Sequence, residues 1–319
     1  MIVVFSPGQR EHQPREFVAG ATRVPASFMN DAPIQYPLEA AGTSVRVLQW
    51  GSAGPAVLFV HGLGSHAGVW SKVAPHLAAQ GRRCYAVDLP GHGLSSKGAQ
   101  FTFTLDGHVR WLAAVMDALG ECRMHLIASS LGGLWAAGFA DRFPGRLDSL
   151  TLVGAVGLEP LAAERRRWTA DYLGHMDRES IATRLRRAVA DQNTIEECFI
   201  EETYRMNNSA GAAESFAALG RYYLARINDD VQLDRLIERA PKPRLLLIWG
   251  RDDVTVAYAG AAAAAARIPG CTLLALHSTR HVPQLERPAE VRWALSRHLS
   301  EEPLNEFAGG EVFHTASRE

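Results

Sequence analysis

The chain has 319 residues, of which 47% are hydrophobic and 21% charged, and its formal net charge at pH 7 is -1. That length accommodates one large α/β domain with an inserted subdomain, or two smaller domains. A charge so near zero gives no electrostatic reason to expect nucleic acid or an anionic membrane as a partner, so we expect a small-molecule substrate.

The amino terminus and the cysteines indicate the cellular compartment and whether disulfide bonds are expected. Residues 2–5 are apolar, but Pro7 and Gly8 end this run far short of a signal-peptide core. No stretch approaches the roughly 20 apolar residues of a membrane span. The four cysteines form no C-x-x-C pair, which favours reduced, mostly buried thiols over a zinc site or a disulfide framework. We predict a cytoplasmic protein and leave its oligomeric state open.

Short apolar runs rich in β-branched residues alternate with segments of helical period from about Tyr36 to Gly157. This alternation is typical of a largely parallel sheet covered by helices. The predicted strands here are residues 44–50, 56–60, 83–87, 124–128 and 149–153. The predicted helices are residues 70–80, 105–119 and 131–143.

The alternation stops after Glu159, where helical spacing continues without a clear strand. Residues 159–235 are therefore predicted to form an inserted helical cap. Strand patterns return at 244–249 and 272–277, so the core is expected to comprise residues 36–158 and 236–300. Residues 1–35 and 301–319 show little periodicity, and we expect an N-terminal arm and a frayed C-terminal tail.

A strand that runs into a serine and then into a helix carries the strongest chemical signal. Ser130 follows the predicted strand 124–128, and Gly132 stands two residues later. The serine of such a turn adopts strained dihedrals, so small residues are needed on both sides, and Ala128 and Gly132 meet that need. This pattern indicates a nucleophile elbow, with Ala128 in place of the usual first glycine. Ser129 is rejected because Leu131 stands two residues after it. The alternative is an ordinary glycine-containing turn.

A serine hydroxyl needs a base that takes its proton. His281 lies in the loop past the predicted strand 272–277 and is the preferred base. His277 is expected to be a strand-end residue with a structural partner. The other histidines are expected to have packing or surface roles.

The imidazole needs a carboxylate that orients it, and two adjacent aspartates compete for that role after the strand 244–249. Asp253 is preferred because Val256 stands three residues later, as in the usual acid loop, whereas Asp252 is expected to brace the turn. The predicted chain order is then serine, acid, histidine.

Backbone amides must also stabilise the oxyanion, and the loop 61–64 follows the strand 56–60. The amides of Leu63 and Leu131 are therefore assigned to this task. A rival for the same loop is nucleotide binding, because Asp88 closes the next strand where a ribose-binding acid would stand. The spacing up to Gly68 is G-x-G-x-x-x-G rather than G-x-G-x-x-G, and Asp88 runs into a glycine-rich turn. We therefore expect neither a cofactor nor a metal.

With these residues placed, the chain resembles the α/β-hydrolase superfamily over nearly all of residues 36–299. Besides the elbow and the predicted triad, residues 61–62 and 88–95 resemble two loop motifs of that superfamily. The resemblance implies an α/β-hydrolase fold with an eight-stranded, mostly parallel sheet flanked by helices, and a helical lid over the catalytic face.

Within the superfamily, residues 152–158 and 191–197 resemble the carbon-carbon bond hydrolases of aromatic degradation and their esterase relatives. Those enzymes often carry a lid arginine and a tryptophan after the catalytic histidine, where this chain has Thr203 and Val282. Arg205 lies two residues away, so the first alignment stays open. These departures favour hydrolysis of a small apolar carboxylic ester. The alternatives are carbon-carbon hydrolysis of a meta-cleavage diketone and a receptor-like protein that binds its ligand without turnover.

The cap also carries aromatic side chains. They are expected either to line an apolar pocket or to pack between cap and core. These residues are Trp168, Tyr172, Tyr204, Phe216, Tyr222 and Tyr223.

Overall fold

A computed structural model describes residues 32–238, 243–305 and 309–316 of the chain. Within these ranges nine strands form one sheet in the order β1-β2-β4-β3-β5-β6-β7-β8-β9. The strands are β1 (Ile34–Ala40), β2 (Thr43–Trp50), β3 (Ala56–Val60), β4 (Arg83–Val87), β5 (Met124–Ser129), β6 (Leu147–Val153), β7 (Arg244–Gly250), β8 (Cys271–Leu276) and β9 (Gly310–His314).

The six central strands, β4, β3, β5, β6, β7 and β8, are parallel, whereas β1, β2 and β9 pair antiparallel at the edges. The carboxyl ends of parallel strands meet at one edge of the sheet, where ligands bind in folds of this kind. The loops after β3, β5, β7 and β8 therefore open on the same side of the molecule.

Helices pack on both faces of the sheet, and a hydrophobic core lies on each face. In β3 all five residues are buried, with Val57 and Phe59 in one hydrophobic cluster and Leu58 and Val60 in the other. That division follows the two-residue period of a strand, and burial on both faces explains the continuous apolar run. The helices of the described residues are α1 (Ala74–Ala79), α2 (Leu105–Ala118), α3 (Leu131–Arg142), α4 (Ala163–Tyr172), α5 (Arg178–Arg187), α6 (Glu197–Asn207), α7 (Ala212–Ala225), α8 (Leu233–Glu238), α9 (Tyr258–Arg267), α10 (Pro283–Glu286) and α11 (Pro288–Leu299).

The helical insertion comprises α4 to α8, between β6 and β7, and is consistent with the predicted cap. Its helices pair among themselves, α4 with α7 and α5 with α6. Asp177 begins α5 by accepting a hydrogen bond from the Ser180 amide at 2.9 Å. The predicted cap limits, 159 and 235, stay a prediction, and the second of them falls inside α8. No helix in the described part of the chain is long and apolar enough to cross a membrane.

The two ends of the sheet differ from the sequence expectations. The strand β1 begins at Ile34, inside the predicted arm, and the rest of that arm up to residue 31 lies outside the described residues. The expected tail contains β9, which adds a ninth strand to the eight expected. Its residues are half-buried or exposed, and Pro37 interrupts the β1 pattern, so neither edge strand carries a clear burial signature.

All four cysteines are free. Cys84 and Cys271 are buried, and burial raises the pKa of each thiol to about 12. Cys122 and Cys198 are exposed, so the expectation of mostly buried thiols is wrong for half of them. Their chemistry is therefore that of unpaired thiols, two of which are available to solvent.

Candidate active site

Ser130 occupies the sharp turn between β5 and α3. Its backbone has φ 51° and ψ -123°, a conformation that costs a non-glycine residue about 1–3 kcal/mol. The turn is held because the Ser130 amide donates to the Val153 carbonyl at 3.0 Å, and the Ser130 carbonyl accepts from the Val156 amide at 2.9 Å. The strained turn projects the serine side chain from the carboxyl edge of the sheet.

Two glycines allow the neighbouring backbone to approach this serine. A Cβ on Gly62 would lie 2.6 Å from the Cβ of Ser130, and a Cβ on Gly132 would lie 2.4 Å from the His61 carbonyl oxygen. Neither position leaves room for a side chain. The loop after β3 therefore lies close to the turn at Ser130, which explains why Gly132 stands two residues after the serine. Ala128, on the other side of the turn, is fully buried in β5.

Ser130, His281 and Asp253 form one hydrogen-bonded chain. The Nε2 atom of His281 lies 3.0 Å from Ser130 Oγ, and its Nδ1 atom lies 2.8 Å from Asp253 Oδ2. A carboxylate accepts hydrogen bonds, so Nδ1 carries the proton and the Nε2 lone pair faces the serine hydroxyl. The structure thus brings the three predicted side chains together from the loops after β5, β7 and β8.

The acid loop orients the Asp253 side chain through its second oxygen. Asp253 Oδ1 accepts from the Thr255 amide at 2.7 Å and from the Val256 amide at 2.9 Å, which leaves Oδ2 for the histidine. The Asp253 side chain is fully buried, whereas Asp252 is exposed. These contacts explain why Val256 stands three residues after the inward-facing aspartate.

The loop after β3 is braced by a neutral histidine. Burial lowers the pKa of His61 to about 4, so its ring is uncharged near pH 7. Its Nε2 accepts from the Leu89 amide at 3.0 Å, hence Nδ1 carries the proton and donates to the Gly62 carbonyl at 2.7 Å. This bond orients the peptide unit that contains the Leu63 amide. The amides of Leu63 and Leu131 have no acceptor among the described residues.

Asp88, the residue behind the nucleotide-binding alternative, is fully buried. Its Oδ1 accepts from the Ala67 amide at 2.6 Å, and its Oδ2 accepts from the Leu94 amide at 2.7 Å. A Cβ on Gly93 would lie 1.9 Å from Oδ2. The carboxylate therefore braces two loops and is not accessible to a ribose.

Two side chains of the cap donate hydrogen bonds to the loop after β3. Arg184 donates from Nη1 to the Leu63 carbonyl at 2.8 Å and from Nη2 to the Gly64 carbonyl at 3.0 Å. The buried Asn207 donates from Nδ2 to the Gly64 carbonyl at 3.0 Å. The conformation of the backbone at Leu63 and Gly64 thus depends on the cap as well as on the core.

A cavity of about 120 Å³ lies between cap and core, next to Ser130 and His281. Of the six cap aromatics, Trp168, Tyr172 and Tyr223 line it, whereas Phe216 and Tyr222 pack on the core residues His92 and Trp135. Tyr204 does not line the cavity and packs half-buried against a hydrophobic cluster of the core. Some of the six therefore line a pocket and others pack between cap and core, as the two sequence expectations allowed. The lining is mostly apolar, as in sites that bind small organic molecules.

Three cap arginines that the sequence analysis did not single out line the cavity. Thr203 is buried and donates to the Phe199 carbonyl at 2.7 Å, while Arg165, Arg184 and Arg187 line the cavity. The cap thus brings three arginines to the cavity, although position 203 itself is a buried threonine. Helical spacing alone does not say which face of a cap helix turns towards the core.

His277 lies at the end of β8, next to β9. His277 Nε2 lies 3.1 Å from Glu311 Oε1, at the edge where β8 meets β9, so the expected structural partner of this strand-end histidine exists. Within the described ranges, no group of three or more histidine, cysteine or acidic side chains is arranged to hold a metal ion.

The chain is similar to several known proteins. It is 29% identical, over 81% of its length, to the dihydrolipoyllysine-residue acetyltransferase component of the acetoin cleaving system of Cupriavidus necator, and the match covers 67% of that protein. It is 27% identical, over 67% of its length, to 2-hydroxy-6-oxo-2,4-heptadienoate hydrolase of Pseudomonas putida, with 77% of that protein covered.

Among solved structures, 2-hydroxy-6-oxo-6-phenylhexa-2,4-dienoate hydrolase from Rhodococcus sp. strain RHA1 matches with a TM-score of 0.76. The match covers 84% of this chain and 99% of that chain at 21% identity, which shows a shared fold. A family profile for the alpha/beta hydrolase fold matches residues 55–288, a range that includes the loops of Ser130, Asp253 and His281. The chain therefore belongs to the alpha/beta hydrolase family.

Proposed function

We propose that this protein hydrolyses a small carboxylic ester through an acyl-enzyme on Ser130, with His281 as general base and Asp253 as the acid that orients it. The observation that carries the proposal is the hydrogen-bonded chain from Ser130 Oγ through His281 to Asp253, beside a mostly apolar cavity. A serine becomes a good nucleophile only when such a base removes its proton.

The proposed reaction has two halves. Ser130 Oγ attacks the ester carbonyl carbon while its proton passes to His281 Nε2, and the amides of Leu63 and Leu131 donate to the oxyanion. The bond from carbon to the alcohol oxygen then breaks, and the alcohol leaves with the proton from His281. Water next gives a proton to His281 and attacks the acyl carbon. The bond from that carbon to Ser130 Oγ then breaks, Oγ takes the proton back from His281, and the acid is released.

Carbon-carbon hydrolysis of a meta-cleavage diketone is the second candidate. The similarity to the dienoate hydrolase of Pseudomonas putida and the cap arginines at the cavity favour it. Val282 weighs against it, because it follows His281 where those enzymes often have tryptophan. We therefore rank ester hydrolysis first.

A direct comparison of substrates tests this ranking. We expect a fluorophosphonate probe to label the protein, and the kcat/KM for short aryl and alkyl esters to exceed that for a ring-fission dienoate diketone. The measurement is initial rates on both substrate classes with one enzyme preparation. A kcat/KM for the diketone well above that for every ester would reverse the ranking.

Arg184 is proposed as a positioning residue for the oxyanion loop. Replacing it with glutamine should lower kcat about ten- to a hundred-fold with a smaller change in KM, because the Leu63 amide acts mainly in the transition state. Arg186 on the same helix pairs with Glu197 at the surface, so Arg186→Gln is the matched control and should leave kcat near the wild-type value. Equal losses in both variants would mean that the effect comes from a weakened cap.

A further inference from the structure

A cap arginine contacts the loop that holds the orienting acid. Arg165 lies in the first turn of α4, and its Nη2 atom donates to the Val254 carbonyl at 2.5 Å and to the Thr255 carbonyl at 2.7 Å. A terminal guanidinium nitrogen carries two N–H groups, so it donates to both carbonyls at once. The two carbonyls belong to consecutive peptide units of the acid loop.

The same two peptide units hold the Asp253 carboxylate from their other side. In a planar trans peptide the carbonyl of one residue and the amide of the next form one rigid unit and point in opposite directions. The Val254 carbonyl is thus joined to the Thr255 amide, and the Thr255 carbonyl to the Val256 amide. Both of those amides donate to Asp253 Oδ1, at 2.7 and 2.9 Å. Each unit therefore lies between the guanidinium and the carboxylate.

This arrangement orients and strengthens both hydrogen bonds to the acid. A peptide dipole has its positive end at the N–H and its negative end at the C=O, so the carboxylate and the guanidinium stabilise the same orientation of each unit. Hydrogen bonds in such a chain polarise one another, and those that involve charged groups are stronger than neutral ones. The position of Asp253 Oδ1 thus depends on a side chain of the cap.

The core holds the two ends of the acid loop. At one end the Asp253 amide donates to the last carbonyl of β7 at 3.3 Å, and at the other Trp249 Nε1 donates to the Val256 carbonyl at 3.0 Å. The side chain of Val254, between these ends, is 48% exposed and adds little packing. The contact with Arg165 therefore restrains the part of the loop that is exposed.

Electrostatics place the Arg165 charge within reach of the acid. Burial and the nearby charge of Arg187 lower the pKa of Arg165, and the charge of Asp253 opposes this shift. The guanidinium carbon of Arg165 also lies 5.3 Å from the centre of the Trp168 ring on the same helix, a distance typical of a cation–π contact. The guanidinium is therefore held in place on the cap side as well as by the two carbonyls.

We propose that Arg165 is a positioning residue for Asp253, so that docking of the cap completes the acid that orients His281. This inference rests on the proposed ester hydrolysis. With the cap docked, Arg165 fixes the two peptide units that hold Oδ1, and Oδ2 faces His281 Nδ1. Without that contact the carboxylate is less restrained, and the imidazole is held less often in the tautomer that accepts the Ser130 proton.

Replacing Arg165 with methionine tests the proposal on a neutral ester such as ethyl butanoate. Methionine keeps an unbranched apolar stem and removes the donors and the charge. The kcat should fall about ten- to a hundred-fold with a change in KM of less than about three-fold, because a displaced orienting group slows the chemical step more than it weakens binding. An unchanged kcat, with or without a rise in KM, would overturn the proposal.

Arg166→Met is the matched control. Arg166 lies on the same helix, but its Nη1 donates at 2.8 Å to the Leu224 carbonyl, which belongs to the cap. This substitution removes a contact within the cap and leaves the acid loop untouched. Its kcat should stay near the wild-type value, and a loss equal to that of Arg165→Met would contradict the proposal.

A double-mutant cycle with Asp253→Ala distinguishes positioning of the acid from stability of the cap. In Asp253→Ala no carboxylate is left to position, so adding Arg165→Met should change the remaining rate less than about two-fold. A merely weakened cap would lower the rate by the same factor in both backgrounds, and that result would overturn the proposal. Initial rates at high enzyme concentration measure all four proteins. No ester turnover and no fluorophosphonate labelling by the wild type would instead refute the proposed ester hydrolysis, and the inference with it.

Discussion

Replacing Ser130 with alanine should reduce kcat for ester hydrolysis about a million-fold, because no acyl-enzyme forms without the hydroxyl. Labelling by a fluorophosphonate probe should disappear with it. The loss should not come from unfolding, since alanine keeps the Cβ that the turn at φ 51° already accommodates. Initial rates, probe labelling and the melting temperature of the purified variant measure these three effects.

Ser129→Ala is the control for this prediction. Ser129 is buried and also lines the cavity, but it is not part of the hydrogen-bonded chain to His281. Its replacement should leave probe labelling intact. If Ser129→Ala lost activity while Ser130→Ala retained it, the assignment of the elbow would be wrong.

Replacing Asp253 with asparagine should reduce kcat about ten-thousand-fold, because the side chain would then impose the wrong imidazole tautomer. The Thr255 and Val256 amides both point at the Oδ1 position, so the asparagine carbonyl oxygen should stay there. Its NH2 group must then face His281 Nδ1, which becomes the acceptor. The proton moves to Nε2, where it faces Ser130 and cannot assist the attack.

Asp252→Asn is the matched control, since the neighbouring aspartate is exposed and its backbone amide, which the substitution keeps, donates to the Thr279 carbonyl. Rates of both variants on the same ester measure the difference. Small and equal losses would mean that the orienting acid comes from elsewhere in the fold.

The main architecture could be predicted because parallel strands buried on both faces leave a strong pattern. The continuous apolar run of Ala56–Val60 and the helical spacing of Leu105–Ala118 are local consequences of burial. The edge strands Ile34–Ala40 and Gly310–His314 were missed because strands exposed at the edge of a sheet need no such pattern. Their pairing is set by neighbours far away in sequence.

Some residues of the candidate site could likewise be predicted from the sequence, and others could not. Ser130 could be found because its strained turn requires small residues at fixed distances along the chain. Arg184 and Asn207 could not, because helical period does not say which side of a cap helix faces the Leu63 loop.

The sequence by itself determined the sheet-and-helix alternation, the position of the inserted helices and the serine turn, because each depends on residues close together in the chain. Tertiary structure alone decided which cap side chains hold the loop after β3 and which of them line the cavity. Those features depend on the distances between the loops after separate strands and the cap above them. Such distances are set only when the sheet, its helices and the cap pack together.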